Sequence, residues 1–507
     1  MIGSMVTAPR RTRWPRRRGV PRRWRTRLAP HPKDQTPKGR AALWLRVRRL
    51  LLAWWLWAII AIVSTVLDEW WWATGMGLWA FACFVVTPSE RAPCYGLDHA
   101  FGVDDPLFIP SMAGATGVDL APGNRVDLLN NGDEFYPAML DAIRGAEGSI
   151  TIEAYIYWAG EIGMEFARAL AERSRAGVAV KILLDAVGSS SIGTEILEIL
   201  ESGRCQVAWY NPARWYSIGR FNHRTHRKSL VIDGRVGFTG GAGIADHWQG
   251  HAEGPGRWRD IQVRLVGPCI VPLQTGFAHN WVQTTRELIS GDRFFPPVGP
   301  AGSLPAMSIM SSPEAGASSV RTMHYLSIAS ARQSLFIANP YFVPDATARA
   351  QLIEAKRRGV DVRVMVAGIH NDNWVARQNS TRLIGPLLEA GIEMLEFNRT
   401  MLHQKTMVVD ELWGTVGTTN FDSRSFSHNE ENNVCVYDRD WAGALHQIFL
   451  KDLDGCDRIS LEAWKRRGMR CRAMEFVASF LEEQARASSA AAAGPPGQGR
   501  RSRDTSD

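Results

Sequence analysis

The stretch HRKSLVIDGRVGFTGG, residues 226–241, is repeated in outline by HQKTMVVDELWGTVGTTN, residues 403–420. Both read His-x-Lys, four residues, Asp, six residues and Gly, and their histidines are 177 positions apart. The chain has 12 His and 8 Lys among 507 residues, so random placement predicts about 0.2 His-x-Lys pairs, and on the order of 0.01 pairs that also carry the Asp. The pattern therefore indicates a duplicated unit with a shared function.

Matching segments surround the two motifs at similar offsets. AIRGAEGSITIEAYIY at 142–157 pairs with SIASARQSLFIANPYF at 327–342, and RAGVAVKILLD at 175–185 pairs with RRGVDVRVMVA at 357–367. Within each copy, helical stretches precede short β-branched runs, which is typical of α/β layers with a largely parallel sheet. We predict an α/β fold of two tandem units with pseudo-twofold symmetry.

The predicted units span residues 126–290 and 305–483, and the Gly- and Pro-rich stretch FFPPVGPAGSLP at 294–305 marks the seam between them. The second unit ends in LEAWKRRGMRCRAMEFVASFLEEQ, which suits either a helix docked on the unit or a membrane-surface helix. The low-complexity residues 484–507 are predicted to be disordered.

The N-terminal part has the composition of a membrane anchor. Residues 1–49 hold 16 Lys or Arg and one acidic residue, which predicts a disordered basic tail held in the cytoplasm. Two uncharged runs of 18 residues follow at 50–67 and 70–87, and each is close to the hydrocarbon thickness of a bilayer when helical. They predict one or two transmembrane helices within 50–87, followed by a linker at 88–125.

The number of spans decides on which side of the membrane the units lie. A hairpin of two spans returns them to the cytoplasm, and this is the preferred interpretation. A single span would place them on the outer side. The density of Trp at the ends of the two runs favours membrane helices over buried core helices, because Trp is enriched at membrane interfaces.

The charge distribution disfavours nucleic acid as a partner. The chain carries a formal net charge of +8, of which the basic tail supplies +15 and the remaining residues −7. A groove that tracks phosphates usually makes its own domain basic. The seven cysteines are scattered, no Cys/His cluster has the spacing of a zinc site, and the sequence predicts no metal or other cofactor.

The repeated motif has the chemistry to act on a phosphodiester. Residues two apart in a strand share a face, so His226 projects with Lys228 and His403 with Lys405. Brought to one site, the ammonium groups would neutralise the nonbridging oxygens, one neutral imidazole would attack phosphorus, and the other, protonated, would donate to the leaving alkoxide. Lys stands here although Arg supplies 51 of the 59 basic residues, which indicates a need for compact point charges.

Each imidazole also needs a partner that fixes its tautomer. Asp260, 34 residues after His226, and Glu431, 28 residues after His403, are the candidate carboxylates. The alternative for Asp260 is an ion pair with a neighbouring arginine. Asn420 is a candidate to donate its amide to a phosphate oxygen, although a turn is the commoner place for such a residue.

With GTTNFDSRSFSHNEENN at 417–433, the two motifs resemble the phospholipase D superfamily, and the layout behind a hydrophobic hairpin is similar to that of bacterial cardiolipin synthases. The resemblance covers roughly residues 126–465. It implies a metal-free reaction through a phosphohistidine, with Asn420 in support. It also implies catalytic roles for the His, Lys and Asp of each motif: His226, Lys228, Asp233, His403, Lys405 and Asp410.

The first copy departs from the family at GGAGIAD, where Gly243 replaces an Asn that would match Asn420. We therefore expect unequal halves. The resemblance, together with this asymmetry, implies that His226 is the nucleophile and His403 the general acid. The implied function is a phosphatidyltransferase that makes cardiolipin from phosphatidylglycerol at the bacterial inner membrane, with phospholipids as its partners. The alternative is a phospholipase D-type hydrolase. A nuclease is less favoured, and intact motifs disfavour a non-enzymatic scaffold.

Overall fold

The computed structural model of the protein describes residues 54–66, 69–86, 101–212, 223–312 and 318–478. Helices α1 (Trp54–Val66) and α2 (Trp70–Val86) pack against each other, with the rings of Trp57 and Trp79 edge to face at 6.5 Å. No helix in these ranges is both long and apolar enough to cross a membrane. The predicted tails, residues 50–53, 67 and 87 of the two predicted spans, and residues 88–100 of the predicted linker lie outside the described residues.

A short helix, α3 (Phe108–Thr116), precedes the first unit. The strands of that unit are β1 Ala121–Asn130, β2 Ser149–Ala154, β3 Ala179–Asp185, β4 Gln206–Tyr210, β5 Arg224–Thr225, β6 Ser229–Ile232, β7 Val236–Gly240 and β8 Ile261–Val266. Its helices are α4 Gly132–Arg144, α5 Glu161–Arg175, α6 Thr194–Ser202 and α7 Ile270–Thr285.

The second unit repeats this succession. Its strands are β9 Leu304–Ser311, β10 Ser334–Ala338, β11 Asp361–Ala367, β12 Glu393–Phe397, β13 Thr406–Val409, β14 Trp413–Gly417, β15 Asn429–Tyr437 and β16 Cys456–Arg458. Its helices are α8 Ser319–Ser330, α9 Ala346–Arg357, α10 Trp374–Leu383, α11 Gly385–Glu389, α12 Ser423–Ser427, α13 Arg439–Asp452 and α14 Leu461–Lys465, and residues 469–478 are also helical.

All these strands form one mixed sheet in the order β16-β12-β11-β10-β13-β14-β15-β9-β1-β8-β7-β6-β2-β3-β4, with β5 paired to β15. The order reads the same outward from the β9–β1 junction, apart from β16 at one edge, so the pseudo-twofold axis passes between β1 and β9. The expectation of a largely parallel sheet is wrong. Only β2-β3-β4, β10-β11-β12 and the β5–β15 pair are parallel, because hairpins follow each His-x-Lys motif.

Each unit buries its own apolar core beneath the sheet. Helix α4 turns Phe135, Met139 and Ile143 inward at every fourth position, and all three side chains are buried. This spacing places them on one face of a helix with 3.6 residues per turn. The parallel strand β2 is buried along its whole length, as expected for a strand covered by helices on both faces.

The unit boundaries differ from those predicted. Strand β1 begins at Ala121 and so crosses the predicted boundary at residue 126. Within the predicted linker, Phe108 and Met112 of α3 are fully buried in the core of the second unit, and the Phe108 ring meets Trp413 edge to face at 5.2 Å. Residues 101–116 therefore belong to the folded body, because the apolar side chains on one face of α3 pack into the core of the second unit.

The C-terminal helix, residues 469–478, is docked on α10 of the second unit. Nδ2 of Asn379 donates to the Ala478 carbonyl at 3.0 Å, and the buried carboxylate of Glu475 accepts from Nε of Arg467 at 2.6 Å. Before it, the Trp464 ring packs so closely on Gly385 that a Cβ there would lie 2.2 Å from the ring. The bond from Asn379 places the buried Ala478 end of the helix against α10.

Candidate active site

The two His-x-Lys motifs meet because the backbone at each motif is hydrogen-bonded to a segment of the other unit. Strand β5, just before His226, runs parallel to the start of β15, and the His226 N–H donates to the Glu430 carbonyl at 2.9 Å. In the pseudo-equivalent place, Arg259 and Leu402 form a parallel bridge, and the His403 N–H donates to the Arg259 carbonyl at 2.8 Å. Both histidines therefore lie at the boundary between the units.

Each histidine is bound to a carboxylate of the other unit. Nδ1 of His226 lies 3.1 Å and 3.0 Å from the two carboxylate oxygens of Glu431. Nδ1 of His403 lies 2.8 Å from Oδ2 of Asp260. The sequence spacing associates each carboxylate with the histidine of its own unit, and this pairing is corrected: the structure exchanges the partners, because β15 and the start of β8 line the opposite motif.

The arginines next to Asp260 have other partners. Nε of Arg259 donates to the Asp452 carboxylate at 2.9 Å, and Nε of Arg257 faces Glu253 at 3.9 Å. The local ion pair considered for Asp260 therefore does not form. The Arg259 guanidinium instead ties the end of α13 to the strand that follows Asp260.

Further hydrogen bonds keep both carboxylates ionised. Asp260 also accepts from Nε1 of Trp248 at 3.0 Å, and Glu431 accepts from Oγ1 of Thr418. Burial alone would raise the pKa of each carboxyl, but the bonds to the histidines and the charges of the lysines bring the pKa below its ordinary value. An ionised carboxylate holds the Nδ1–H tautomer, so that Nε2 is the nitrogen available for chemistry.

Both imidazoles are neutral at neutral pH. Burial lowers the pKa of His226 and of His403 to about 4; the carboxylates oppose this shift and the lysines add to it. A bound phosphodiester would add a negative charge, which favours the protonated form of a nearby imidazole. The geometry thus suits a site in which the substrate itself helps to charge the general acid.

The two lysines concentrate positive charge in the same site. Burial and the charge of Lys405 lower the pKa of Lys228 to about 7, and burial lowers the pKa of Lys405 to about 8. Nζ of Lys228 donates to the His226 carbonyl at 3.1 Å, and Nζ of Lys405 likewise donates to the His403 carbonyl. Nζ of Lys405 also lies 3.1 Å from Nδ1 and 3.2 Å from Nε2 of the His403 ring. An anion between the two lysines would reduce the repulsion between their ammonium groups, so the site favours an anionic ligand.

The halves differ at Asn420 and Gly243. Asn420 is buried, and its Oδ1 has no hydrogen-bond partner among the residues that the structure describes. At Gly243 a Cβ would lie 2.9 Å from both Cβ and the carbonyl oxygen of Ile156, closer than side chains tolerate. The first unit therefore has no room for the amide that the second unit provides.

The motif aspartates do not join the histidines, although the sequence analysis placed Asp233 and Asp410 in the catalytic set. Both sit in hairpin turns with φ of 52° and 51°, and about 17 Å of strand separates each from its lysine. Each carboxylate accepts from three consecutive backbone N–H groups at 2.6–3.0 Å, those of Glu147, Gly148 and Ser149 for Asp233 and those of Arg332, Gln333 and Ser334 for Asp410. They hold the loops that lead into β2 and β10.

Aromatic residues that the sequence analysis did not single out wall the site. The ring of Tyr155 meets the His226 ring at 5.1 Å, and Tyr341 meets the His403 ring at 6.3 Å. Trp258 lies 5.4 Å from His403. Both tyrosines come just after the parallel strands β2 and β10, and the carboxyl ends of parallel strands commonly line a binding site. Their position in the sequence could therefore have identified them as site residues.

Within the described ranges, no group of three or more His, Cys, Asp or Glu residues is placed to hold a metal ion. Cys205, Cys269, Cys435, Cys456 and Cys471 are free thiols. The groups that the chain itself brings to the site are two carboxylate-bound imidazoles, two ammonium groups and one amide. Groups of these kinds can supply a nucleophile, a general acid and charge neutralisation for a phosphodiester.

Comparison with known proteins agrees with this geometry. The model of the family described as cardiolipin synthase, PLD-like domain, matches residues 139–248 and 326–453. A cardiolipin synthase of Geobacillus kaustophilus is 34% identical over 357 residues, which are 70% of this chain and 71% of the relative. A cardiolipin synthase of Staphylococcus aureus strain Mu50 is 31% identical over 368 residues, 71% of this chain and 74% of the relative.

Among solved structures, the phosphatidylserine synthase of Haemophilus influenzae matches with a TM-score of 0.57 and 14% identity, covering 75% of this chain and 97% of that one. This likeness shows a shared fold. The sequence relatives, aligned over more than two thirds of their length, show the family, and the resemblance seen in the motifs is confirmed. The chain belongs to the cardiolipin synthase family of phospholipase D-like phosphatidyltransferases.

Proposed function

We propose that this protein transfers a phosphatidyl group from one phosphatidylglycerol to a second, giving cardiolipin and glycerol through a phosphohistidine on His226. The observation that carries the proposal is the pair of histidines at the unit boundary, each bound through Nδ1 to a carboxylate of the other unit. Two such imidazoles allow one to attack phosphorus while the other handles the proton of the alcohol.

In the first half-reaction, the lone pair on Nε2 of His226 forms a bond to phosphorus while the bond from phosphorus to the glycerol oxygen breaks. Nε2–H of His403 gives its proton to the leaving glycerol oxygen. The imidazolium phosphoramidate keeps its Nδ1–H toward Glu431, whose negative charge balances it. Lys228, Lys405 and Asn420 hold the nonbridging oxygens.

In the second half-reaction, a glycerol hydroxyl of another phosphatidylglycerol gives its proton to Nε2 of His403 and attacks phosphorus. The phosphorus–nitrogen bond breaks, and His226 returns to its neutral form. The assignment of His403 as the acid and base follows from the resemblance and from the asymmetry of the halves, with Asn420 in the second unit and Gly243 in the first.

We propose that an N-terminal hairpin within residues 50–87 anchors the enzyme in the bacterial inner membrane, with the basic tail and the catalytic units in the cytoplasm. The exposed apolar side chains of α1 and α2, Ile59, Ile62, Trp71 and Leu78 among them, support this placement. Deleting residues 1–40 should disturb insertion and leave the activity of the detergent-solubilised protein. A protease or cysteine-accessibility map with the units in the periplasm would refute the hairpin.

The proposed reaction is tested with the purified full chain in phosphatidylglycerol vesicles. We expect equal amounts of cardiolipin and free glycerol, measured by mass spectrometry of the lipids and an enzymatic glycerol assay. His226→Ala and His403→Ala should each abolish turnover, because the two imidazoles act as one unit. Trapped phosphoenzyme should carry its phosphate on His226; phosphate found on His403 alone would reverse the assignment.

Water is the competing acceptor. Phosphatidic acid without cardiolipin would make the protein a phospholipase D-type hydrolase, and cleavage of DNA without action on lipid would make it a nuclease. A membrane-bound site favours transfer, because lipid glycerol groups are concentrated and oriented beside it.

A further inference from the structure

A third carboxylate lies on the His403 side of the active site and belongs to neither imidazole–carboxylate pair. The Tyr341 ring meets the His403 ring at 6.3 Å, and the Tyr341 hydroxyl donates a hydrogen bond to the Asp372 carboxylate. Burial lowers the pKa of His403 and of Lys405, and the charge of Asp372 is one of those that oppose both shifts. Contact through Tyr341 and the reach of its charge thus place Asp372 beside the reacting groups of the second unit.

The Asp372 carboxylate has capacity to accept hydrogen bonds from a ligand. It is exposed, and among the residues that the structure describes it accepts from the Tyr341 hydroxyl and forms no ion pair. Burial raises the pKa of Tyr341 well above its ordinary value, and the charge of Asp372 adds to this shift, so the phenol remains a donor to the carboxylate. An ionised carboxylate has about four lone-pair positions on its oxygens, and one hydrogen bond leaves most of them open.

The loop that carries Asp372 is held on both sides of it. Before Asp372, the Ile369 N–H donates to Oδ1 of Asn398 at 2.9 Å. After it, the Asn373 side chain caps α10 by accepting from the Ala376 N–H at 3.0 Å. A group that is fixed in this way can bind a substrate with little further loss of conformational freedom.

The wall on the His226 side has a different character. The Tyr155 ring meets the His226 ring at 5.1 Å and lies 5.5 Å from Nζ of Lys228. Asp185, whose charge also acts on Tyr155, is fully buried and paired with Arg224 at 3.4 Å. An accessible carboxylate beside an aromatic wall is therefore a feature of the His403 side.

A carboxylate in this place favours hydroxyl groups over phosphate oxygens. It repels an anion and accepts hydrogen bonds from donors. In both half-reactions proposed above, His403 exchanges a proton with a glycerol oxygen, so a glycerol group lies on this side each time. Glycerol carries a further hydroxyl on the carbon next to the reacting one, and that hydroxyl is a donor that Asp372 can bind.

We propose that Asp372, held by Tyr341, binds a hydroxyl adjacent to the reacting oxygen of the alcohol and so selects alcohols with vicinal hydroxyls over simple alcohols. The same contact serves the leaving glycerol and the incoming glycerol headgroup. Its charge also keeps the phosphate toward the two lysines. This assignment deepens the proposed function and rests on it, because it takes His403 as the group that exchanges the proton of the alcohol.

The test is a competition between two alcohols for one phosphoenzyme. Purified full-length protein receives a phosphatidyl donor with a nitrophenol leaving group, together with glycerol and 1-propanol at equal concentrations. Both acceptors have a three-carbon chain, and mass spectrometry gives the ratio of phosphatidylglycerol to phosphatidylpropanol. Because both products come from the same phosphoenzyme, their ratio does not depend on how much of the protein is active.

Three variants are compared with the wild type. Asp372→Asn keeps the size of the side chain and removes its charge, and Tyr341→Phe keeps the ring and removes the hydroxyl that holds Asp372. Asp292→Asn is the matched control: Asp292 is exposed, and the carbonyl of its neighbour Arg293 accepts from the Ser149 hydroxyl at the start of β2, the end of that strand remote from the site.

We expect the wild type and Asp292→Asn to prefer glycerol by at least roughly tenfold, the effect of a hydrogen bond to a charged acceptor. Asp372→Asn should lose most of this preference and Tyr341→Phe part of it, while both release nitrophenol at nearly the wild-type rate. An unchanged preference in Asp372→Asn would overturn the inference, and so would a wild type without preference or a loss of nitrophenol release in folded Asp372→Asn. A wild type that prefers glycerol here but forms no cardiolipin in phosphatidylglycerol vesicles would refute only the proposed function.

Discussion

Replacing Glu431 by Gln should disable His226, a residue of the other unit, 205 positions away. The substitution keeps the shape of a fully buried side chain and removes its charge. Nδ1 of His226 would then face an amide, which can accept one hydrogen bond but cannot balance the positive charge that the ring acquires when Nε2 attacks phosphorus.

The size of the effect follows from the distance. Two unit charges 3.0 Å apart interact by about 5 kcal/mol at an effective dielectric constant of about 20. The glutamine dipole recovers part of this energy through its own hydrogen bond. A net loss of about 4 kcal/mol corresponds to a roughly thousand-fold slower formation of the phosphohistidine, at about 1.4 kcal/mol for each factor of ten.

Rapid-quench measurement of phosphoenzyme formation in a single turnover tests this value. The matched variant is Asp260→Asn, which removes the partner of His403, the proposed acid. A phosphatidyl donor with a nitrophenol leaving group needs no proton from an acid. With this donor the Asp260→Asn protein should form phosphoenzyme at nearly the wild-type rate, while Glu431→Gln should remain slow.

The reverse pattern would refute the reasoning. If the good leaving group rescued Glu431→Gln and not Asp260→Asn, Glu431 would serve the acid and Asp260 the nucleophile. Rates within a few-fold of the wild type for both variants would show that the carboxylates do not assist the histidines at all. Thermal melts of both proteins separate a loss of chemistry from a loss of fold.

Three further outcomes are expected. Asp410→Asn should lower the free energy of unfolding by roughly 2 kcal/mol, because an amide replaces a carboxylate that accepts from three N–H groups. The rate of phosphoenzyme formation should stay near that of the wild type. If the folded variant lost that reaction, Asp410 would have a catalytic role after all. Burial lowers the pKa of His324 to about 4, so the folded protein loses stability relative to the unfolded chain as pH falls from about 6.5 through about 4. The His324→Phe protein should not show this loss, which amounts to about 2 kcal/mol at pH 5. Denaturant unfolding at pH 7 and pH 5 measures it, and an equal loss of stability in both proteins would contradict the prediction. Activity should survive a chelator, and loss restored by magnesium or calcium would argue against a metal-free mechanism.

The sequence was informative where the pattern is local or repeated. The spacing of the two motifs and of their flanking segments was enough to predict two related α/β units, because each copy carries its own helix and strand periodicity. The same duplication predicted that His226 and His403 meet, with their lysines beside them. The family was accessible because the doubled motif is improbable by chance.

Contacts that depend on the docking of the units were not accessible. Which carboxylate serves which histidine depends on β5 pairing with β15 across the boundary, a pairing of residues about 205 positions apart. The roles of Asp233 and Asp410 were misread for a related reason. The motif alone does not show that its His and Lys, before the strand, lie in the site, whereas its Asp, after the strand, stabilises a turn.

The exchanged carboxylates also bear on why the two units are joined in one chain. His226 has its carboxylate partner in the second unit and His403 has its partner in the first, so neither unit by itself contains a motif histidine together with the carboxylate bound to it. Docking of the units thus brings both motif histidines to their carboxylates together. A disturbance of the boundary between the units would therefore displace both histidines from their carboxylates together.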